Sequence, residues 1–119
     1  MLPATEVIPS NDFFDFEAKY TPGATQEITP GRMTGEEKAD VERIVKEVYI
    51  KLNCRGMVRI DYFLQKETSN FYFIEINTIP GQTAQSFIPQ QVKAAGMDIG
   101  EFYGELIESA LLLKEKNFK

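Results

Sequence analysis

Arg59, Asp61 and Phe63 occupy alternate positions of one β-rich run, and Phe73, Glu75 and Asn77 occupy alternate positions of the next. Side chains alternate across a strand, so each trio shares a face. Six polar residues, Gln65 to Asn70, separate the runs and suit a hairpin connection. With the turn centred near Thr68, odd positions pair: Asp61 opposite Glu75, Phe63 opposite Phe73, and Arg59 opposite Asn77. Like charges directly opposite destabilise a sheet. A divalent cation would resolve the conflict, because Asp, Glu and the Asn carbonyl are hard oxygen ligands that leave positions for water and phosphate oxygens, as Mg²⁺ prefers. Arg59 could clamp a phosphate beside it. In the plainer reading, Asp61 and Glu75 face solvent and pair with Arg59 and a lysine. The second run leaves through Pro80-Gly81, a turn whose exposed backbone N–H groups can stabilise an oxyanion.

These residues need a scaffold, and the flanking sequence predicts one. Residues 3–9 place β-branched residues between prolines and read as a short edge strand. From Ser10 to about Met33 no periodicity is sustained and Pro22, Gly23, Pro30 and Gly31 punctuate the segment, which reads as a long mobile loop acting as a lid. Thr34-Gly35-Glu36-Glu37 fits a capping box. Val41, Ile44, Val45, Val48 and Leu52 then recur at helical spacing up to about Asn53. Met57–Leu64 and Phe71–Ile76 form the hairpin. Ser86 can cap a short helix that Gly96 stops, and Asp98 with Glu101 can box the last one, whose apolar face is Ile99, Phe102, Tyr103, Leu106, Ile107 and Ala110. The fold class is α+β, an antiparallel sheet with helices packed on one face. One domain is expected, able to fold alone, since a chain of this size buries roughly two thirds of its unfolded surface.

Composition closes several routes. The 119 residues carry 13 Lys+Arg against 18 Asp+Glu, a net charge of −5 that argues against nucleic acid or anionic lipid as a partner. There is no apolar run long enough for a membrane span and no basic stretch and apolar core after Met1, so a soluble, cytoplasmic protein is expected. With Cys54 alone and no His, the chain excludes an internal disulfide framework, a Cys/His zinc site and histidine-based acid/base chemistry. Cys54 itself reads as a small buried residue.

A hairpin ending in E-x-N-x-x-P-G after an R-x-D strand resembles the carboxy-terminal half of the ATP-grasp domain in ATP-grasp ligases. Asp15-Phe16-Glu17-Ala18-Lys19-Tyr20, Cys54-Arg55-Gly56, Asn77-Thr78 with Pro80-Gly81 and Thr83, Ser86, and Ala94-Ala95-Gly96-Met97 narrow the resemblance to the D-alanine–D-alanine ligase family. The resemblance implies ATP as cofactor with two Mg²⁺ or Mn²⁺ ions, held by Asp61, Glu75 as the bridging carboxylate, and Asn77. It implies Arg59 on the transferred phosphoryl group and the Gly81 N–H as an oxyanion donor. It assigns Ser86 and the N–H of Phe87 to the carboxylate of the second D-alanine, at a helix N-terminus. Lys19 and Tyr20 match a loop that closes over ATP phosphates and substrate, and Phe13 and Phe63 match apolar positions near the adenine. By the same resemblance the full-length enzyme is a cytoplasmic homodimer that makes D-alanyl-D-alanine for peptidoglycan.

Each assignment has a plainer counterpart. Ser86 is explained by helix capping, Phe13 and Phe63 by core packing, and Lys19 and Tyr20 by solvation. The chain also departs from the family. It lacks the amino-terminal part of the same enzyme, so the isolated piece is expected to be inactive, and an exposed sheet edge would permit pairing between copies. The position of Phe87 more often holds leucine or a smaller apolar group, and Gln82 and Gln85 lie in a variable stretch. The presence of Tyr20 favours a dipeptide over a D-alanyl-D-lactate product. Two rivals stay open: another ATP-grasp carboxylate–amine ligase, and a non-catalytic interaction module.

Overall fold

The computed structural model describes residues 1–9 and 25–117. Its elements run β1 (Glu6–Pro9), β2 (Thr25–Ile28), α1 (Gly35–Lys51), β3 (Arg59–Leu64), β4 (Phe71–Asn77), α2 (Phe87–Ala94) and α3 (Ile99–Asn117). The α+β class is observed, with two separate two-stranded antiparallel sheets, β1-β2 and β3-β4, in place of the single sheet expected.

Strand β2 corrects the reading of 10–33 as continuous loop. Thr25-Gln26-Glu27-Ile28 has no apolar alternation to announce a strand, and it becomes one by pairing with β1, from Glu6↔Ile28 to Pro9↔Thr25. The remaining expectation for this segment, a mobile lid over 10–24, lies outside the described residues. Behind the strands, Gly31 N–H donates to the Ala4 carbonyl at 2.8 Å, and the Arg32 guanidinium grips the Glu6 carboxylate at 2.9 and 2.8 Å. Gln91 and Gln90 of α2 donate to Thr5 Oγ1 at 3.1 Å and Glu27 Oε2 at 2.9 Å, which docks this sheet on α2.

Helix α1 starts with the predicted capping box: Glu37 N–H donates to Thr34 Oγ1 at 3.1 Å, and Thr34 N–H to Glu37 Oε2 at 2.9 Å. The other Glu37 oxygen accepts from the Ser69 hydroxyl at 2.8 Å, so the box also fastens the β3–β4 turn to the helix. The backbone N–H of Thr34 and this hydroxyl both favour the charged form and hold the Glu37 carboxyl below its ordinary pKa. Val41 is buried and Ile44, Val45 and Val48 are half-buried, but Leu52 is 55% exposed. Leu52 lies beyond the last helical residue, as the C-cap, and so leaves the apolar stripe assigned to it. Tyr49 donates to the Gly56 carbonyl at 2.8 Å and ties the helix end to the approach of β3.

The β3-β4 register is Arg59↔Asn77, Ile60↔Ile76 and Asp61↔Glu75, then Tyr62↔Phe73, Phe63↔Tyr72 and Leu64↔Phe71. Ile74 is skipped, so β4 carries a bulge beside the acidic pair, immediately before Glu75. A one-residue slip exchanges faces. The expected Phe63–Phe73 pair is therefore incorrect: Phe63 lies opposite Tyr72, while Phe73 shares the face of Tyr62, not that of Glu75. The Tyr62–Phe71 stack, with centroids 4.5 Å apart, lies on that Tyr62 face. Burial there raises the Tyr62 pKa.

Short α2 is anchored by Ile88 and Val92, which are buried, as are Val41 and Pro80 among the described residues. Gly96 adopts φ 73°, the left-handed conformation a helix end requires, and Met97 N–H closes back on the Val92 carbonyl at 3.1 Å. Asp98 Oδ2 then accepts from the N–H groups of Gly100 and Glu101 at 2.8 and 3.2 Å to start α3. Phe102, Tyr103 and Leu106 turn inward, whereas Ile99, Ile107 and Ala110 of the predicted apolar face are exposed. An apolar cleft of about 700 Å³ lies between the helices and the hairpin, lined by Val41, Tyr49, Ile60, Ile88, Phe102 and Leu106 among others. Arg59, Ile60 and Tyr62 of β3 line it, whereas Asp61 and Phe63 do not.

The Glu6–Arg32 clamp yields a pH test. Hydrogen bonds from Arg32 lower the Glu6 pKa from 4.5 to about 2. A depressed carboxylate contributes stability above its unfolded pKa and loses it as pH falls through the folded one. Glu6→Gln should lower the urea midpoint at pH 7, and the gap to wild type should close as pH falls from 4.5 to about 2. A gap that stays constant with pH would disprove the linkage.

Candidate functional site

The site is built on the Asn77 end of the hairpin, on the near side of the bulge. The register places Asp61 directly opposite Glu75 and Arg59 opposite Asn77, the two pairs that strand parity predicts. Arg59 supplies the positive charge between the acids: its Nε donates to Asp61 Oδ1 at 2.8 Å and a terminal nitrogen to Asp61 Oδ2 at 3.0 Å, in a two-pronged pair. The same terminal nitrogen is 3.8 Å from Glu75 Oε1. Side-chain exposure is 21% for Arg59 and 30% for Asp61 against 53% for Glu75, so the inner pair is sheltered and the outer acid reaches solvent.

Beyond the strand, Asn77 Oδ1 accepts from the Ile79 N–H at 2.9 Å, which fixes the amide and starts the turn to Pro80-Gly81. Pro80 is buried. Gln82 Nε2 donates to the Pro80 carbonyl at 3.1 Å while its Oε1 accepts from the Tyr103 hydroxyl at 2.8 Å, so α3 holds the turn through one side chain. Sequence reasoning assigned no role to Gln82 and placed Tyr103 only on an apolar face. A polar residue next to a Pro-Gly turn was the available signal for Gln82, whereas its long-range partner Tyr103 gave none.

Ser86 sits at the N-cap of α2, but its hydroxyl does not cap the helix. It accepts from the Thr83 N–H at 3.1 Å and shares a 2.7 Å hydrogen bond with Thr83 Oγ1. This corrects the capping role given to it, because the preceding turn competes successfully for the same oxygen. The first N–H groups of α2 are consequently left without that side-chain acceptor, the condition in which a helix N-terminus attracts an anion. Phe87 follows, and its ring lies under the Arg59 guanidinium, 5.4 Å from Cζ to centroid.

Thus Arg59, Asp61, Glu75 and Asn77 are brought together on the hairpin, with Gly81, Ser86 and Phe87 on the segment that leaves it. Phe63 is on the Asp61 face but 67% exposed, so it is not the core residue that its plainer reading implied. Phe13, Lys19 and Tyr20 lie outside the described residues.

Among the described residues no group of three or more His, Cys, Asp or Glu side chains is arranged to hold a metal ion. The candidate set is instead two carboxylates and one amide oxygen. All three are hard donors, and the opposed acids lose their mutual repulsion when positive charge lies between them, so the set fits Mg²⁺ or Mn²⁺ completed by water or phosphate oxygens.

The family described as "D-ala D-ala ligase C-terminus" matches residues 1–108. The chain belongs to that family. It is 46% identical over 108 residues to a D-alanine–D-alanine ligase of Azobacteroides pseudotrichonymphae, covering 91% of this chain and 33% of that protein. A Porphyromonas gingivalis protein of the same name is 46% identical over 110 residues, covering 92% and 33%. Among solved structures, the Bacillus anthracis D-alanine–D-alanine ligase complexed with ATP superposes with a TM-score of 0.78 at 28% identity, over 98% of this chain and 37% of that one. The chain thus has the fold of the carboxy-terminal part of these ATP-grasp ligases and spans about a third of the length of the curated relatives. No helix among the described residues of this family member is long and apolar enough to cross a membrane.

The contact between turn and helix makes one substitution diagnostic. A Cβ at Gly81 would meet Ser86 Oγ at 2.9 Å, closer than real Cβ contacts allow. Gly81→Ala should therefore drive the hydroxyl off Thr83, seen as a shift of the Thr83 amide resonance, at a cost of about 1 kcal/mol for the lost hydrogen bond. An unshifted Thr83 amide would show that the turn yields without disturbing Ser86.

Proposed function

We propose that this chain is the metal-binding, phosphoryl-clamping carboxy-terminal part of an enzyme that joins two D-alanines to D-alanyl-D-alanine at the expense of ATP, in the cytoplasm, for peptidoglycan synthesis. The observation that carries the reading is the Asp61–Glu75 pair, opposed across adjacent strands with Arg59 between them, in a chain of this family. ATP phosphorylates the carboxylate of one D-alanine, and the amine of the second displaces phosphate from the acylphosphate.

Asp61, Glu75 and Asn77 would hold two Mg²⁺ or Mn²⁺ ions, which when bound neutralise phosphate charge. Arg59 presents several N–H donors in a fixed plane, suited to the oxygens of the transferred phosphoryl group. The Gly81 N–H, on a turn held by Gln82, serves the oxyanion that forms as the amine attacks. Ser86 and the N–H of Phe87 take the carboxylate of the second D-alanine at the start of α2. Lys19 and Tyr20 close over the phosphates and substrate, and Phe13 and Phe63 flank the adenine. Positioning and electrostatic stabilisation suffice for phosphoryl transfer, which fits a chain without histidine.

The isolated chain, supplied with ATP, Mg²⁺ and D-alanine, should form no dipeptide, because it supplies only about a third of the relatives' length. Grafted in place of the matching third of the Porphyromonas gingivalis ligase, 46% identical to it, it should restore dipeptide formation. Asp61→Asn or Glu75→Gln in the graft should each lower kcat by about 10²-fold or more with folding intact, the scale of losing one preorganised electrostatic contact. A graft that releases ADP only with some other amine substrate would point to a different carboxylate–amine ligase. An inert graft whose Mn²⁺ binding ignores both substitutions would refute the catalytic reading.

A further inference from the structure

The carboxylates that hold Arg59 are the ones that would also ligate cations. In this structure Asp61 takes two N–H donors from Arg59, at 2.8 and 3.0 Å, and Glu75 stands 3.8 Å away. A dication drawn to these oxygens competes with the guanidinium for the same acceptors and repels it. An arginine held by carboxylates alone loses those partners when they turn to a cation. The contact with Phe87 has no such dependence, since an uncharged ring face attracts a guanidinium whatever the carboxylates bind.

We propose that Phe87 is a positioning residue, whose ring keeps the Arg59 guanidinium beside the Asp61–Glu75 pair when those carboxylates turn to a divalent cation. Three observations support it. The 5.4 Å separation is within cation–π range. The ring is placed by a rigid element, because Phe87 opens α2 and the next residue, Ile88, is 3% exposed, with Val92 at 1% one turn on. Finally, Arg59 is only 21% exposed, so the attraction acts where water screens it less. The ring attracts the guanidinium without accepting its hydrogen bonds in place of an oxygen, which leaves the N–H donors free to pass from carboxylate to phosphate. The inference deepens the proposed function and rests on Arg59 serving the phosphoryl group.

The test uses the 119-residue chain in solution. The Arg59 Nε–H resonance should carry an upfield ring-current shift that persists when Mg²⁺ is added. Phe87→Leu, similar in bulk but without the ring face, should abolish the shift and weaken inorganic phosphate binding in the presence of Mg²⁺ by about two- to fivefold. Phe87→Tyr should restore both, which a loss of packing alone would not explain. Equal Arg59 resonances in wild type and Phe87→Leu, or a shift that vanishes with Mg²⁺, would overturn the proposal. Phosphate affinity that does not differ between the two proteins, undetectable binding to both included, would also overturn it. The functional reading fails separately, if the Asp61 and Glu75 carboxyl resonances ignore Mg²⁺; the ring contact is then still decided by the Arg59 resonance.

Discussion

Two acids facing each other across a hairpin need positive charge between them, and the arrangement of the site follows from how that charge is supplied. The β3-β4 ladder fixes Asp61 and Glu75 as direct neighbours. Arg59, two residues before Asp61 on the same strand face, is the cation that meets them among the described residues, with 2.8 Å to one acid and 3.8 Å to the other. The pair is sheltered without being sealed, since Glu75 remains half exposed. Such a cluster can exchange partners. A fully buried ion pair would resist exchange because separating it leaves an uncompensated charge, and a fully exposed one would be too weakly organised to position a phosphate.

The surrounding structure serves to keep this cluster in register. The bulge at Ile74 adjoins the acidic pair on the side away from Asn77, and the Asp61↔Glu75 pairing is kept. At the other end, the Asn77 side chain, the Gln82 amide and the Thr83–Ser86 hydroxyl pair fix successive parts of the turn that carries Gly81. The Glu37–Ser69 bond holds the far end of the hairpin to α1. Each tether is a single hydrogen bond worth about 1 kcal/mol, but together they determine where the strand begins, ends and turns.

What could be read from the sequence follows from the distance over which each feature is determined. Asp61–Glu75 and Arg59–Asn77 follow from counting along two strands joined by one short polar turn, and the count that paired them was correct for the site. The same count failed for Phe63 and Phe73, because a bulge adds a residue without any composition to announce it. The Thr34–Glu37 box was legible since it spans three residues, whereas β2 was invisible because Thr25–Ile28 owes its conformation to β1. Ser86 shows a third limit. Its type and place at a helix start predicted a cap, but Thr83, three residues earlier, offers the same oxygen a donor, and spacing alone does not rank the two.

That locality also explains how a well-formed site coexists with a thin core. Val41, Pro80, Ile88 and Val92 are the buried apolar residues among those described, while Ile50, Phe63, Ile79 and Ile107 are more than half exposed and a cleft of about 700 Å³ remains between helices and hairpin. Most contacts that define the site join residues fewer than about 20 positions apart, so they form with little loop-closure entropy and need no deep core to hold them. The elements that would close the cleft are separated by longer stretches of chain. Relatives nearly three times as long share this segment's fold and keep it as about their carboxy-terminal third. The Arg59 cluster and the turn after Asn77 therefore depend on the hairpin and α2, and the cleft between helices and hairpin is where the segment lacks packing of its own.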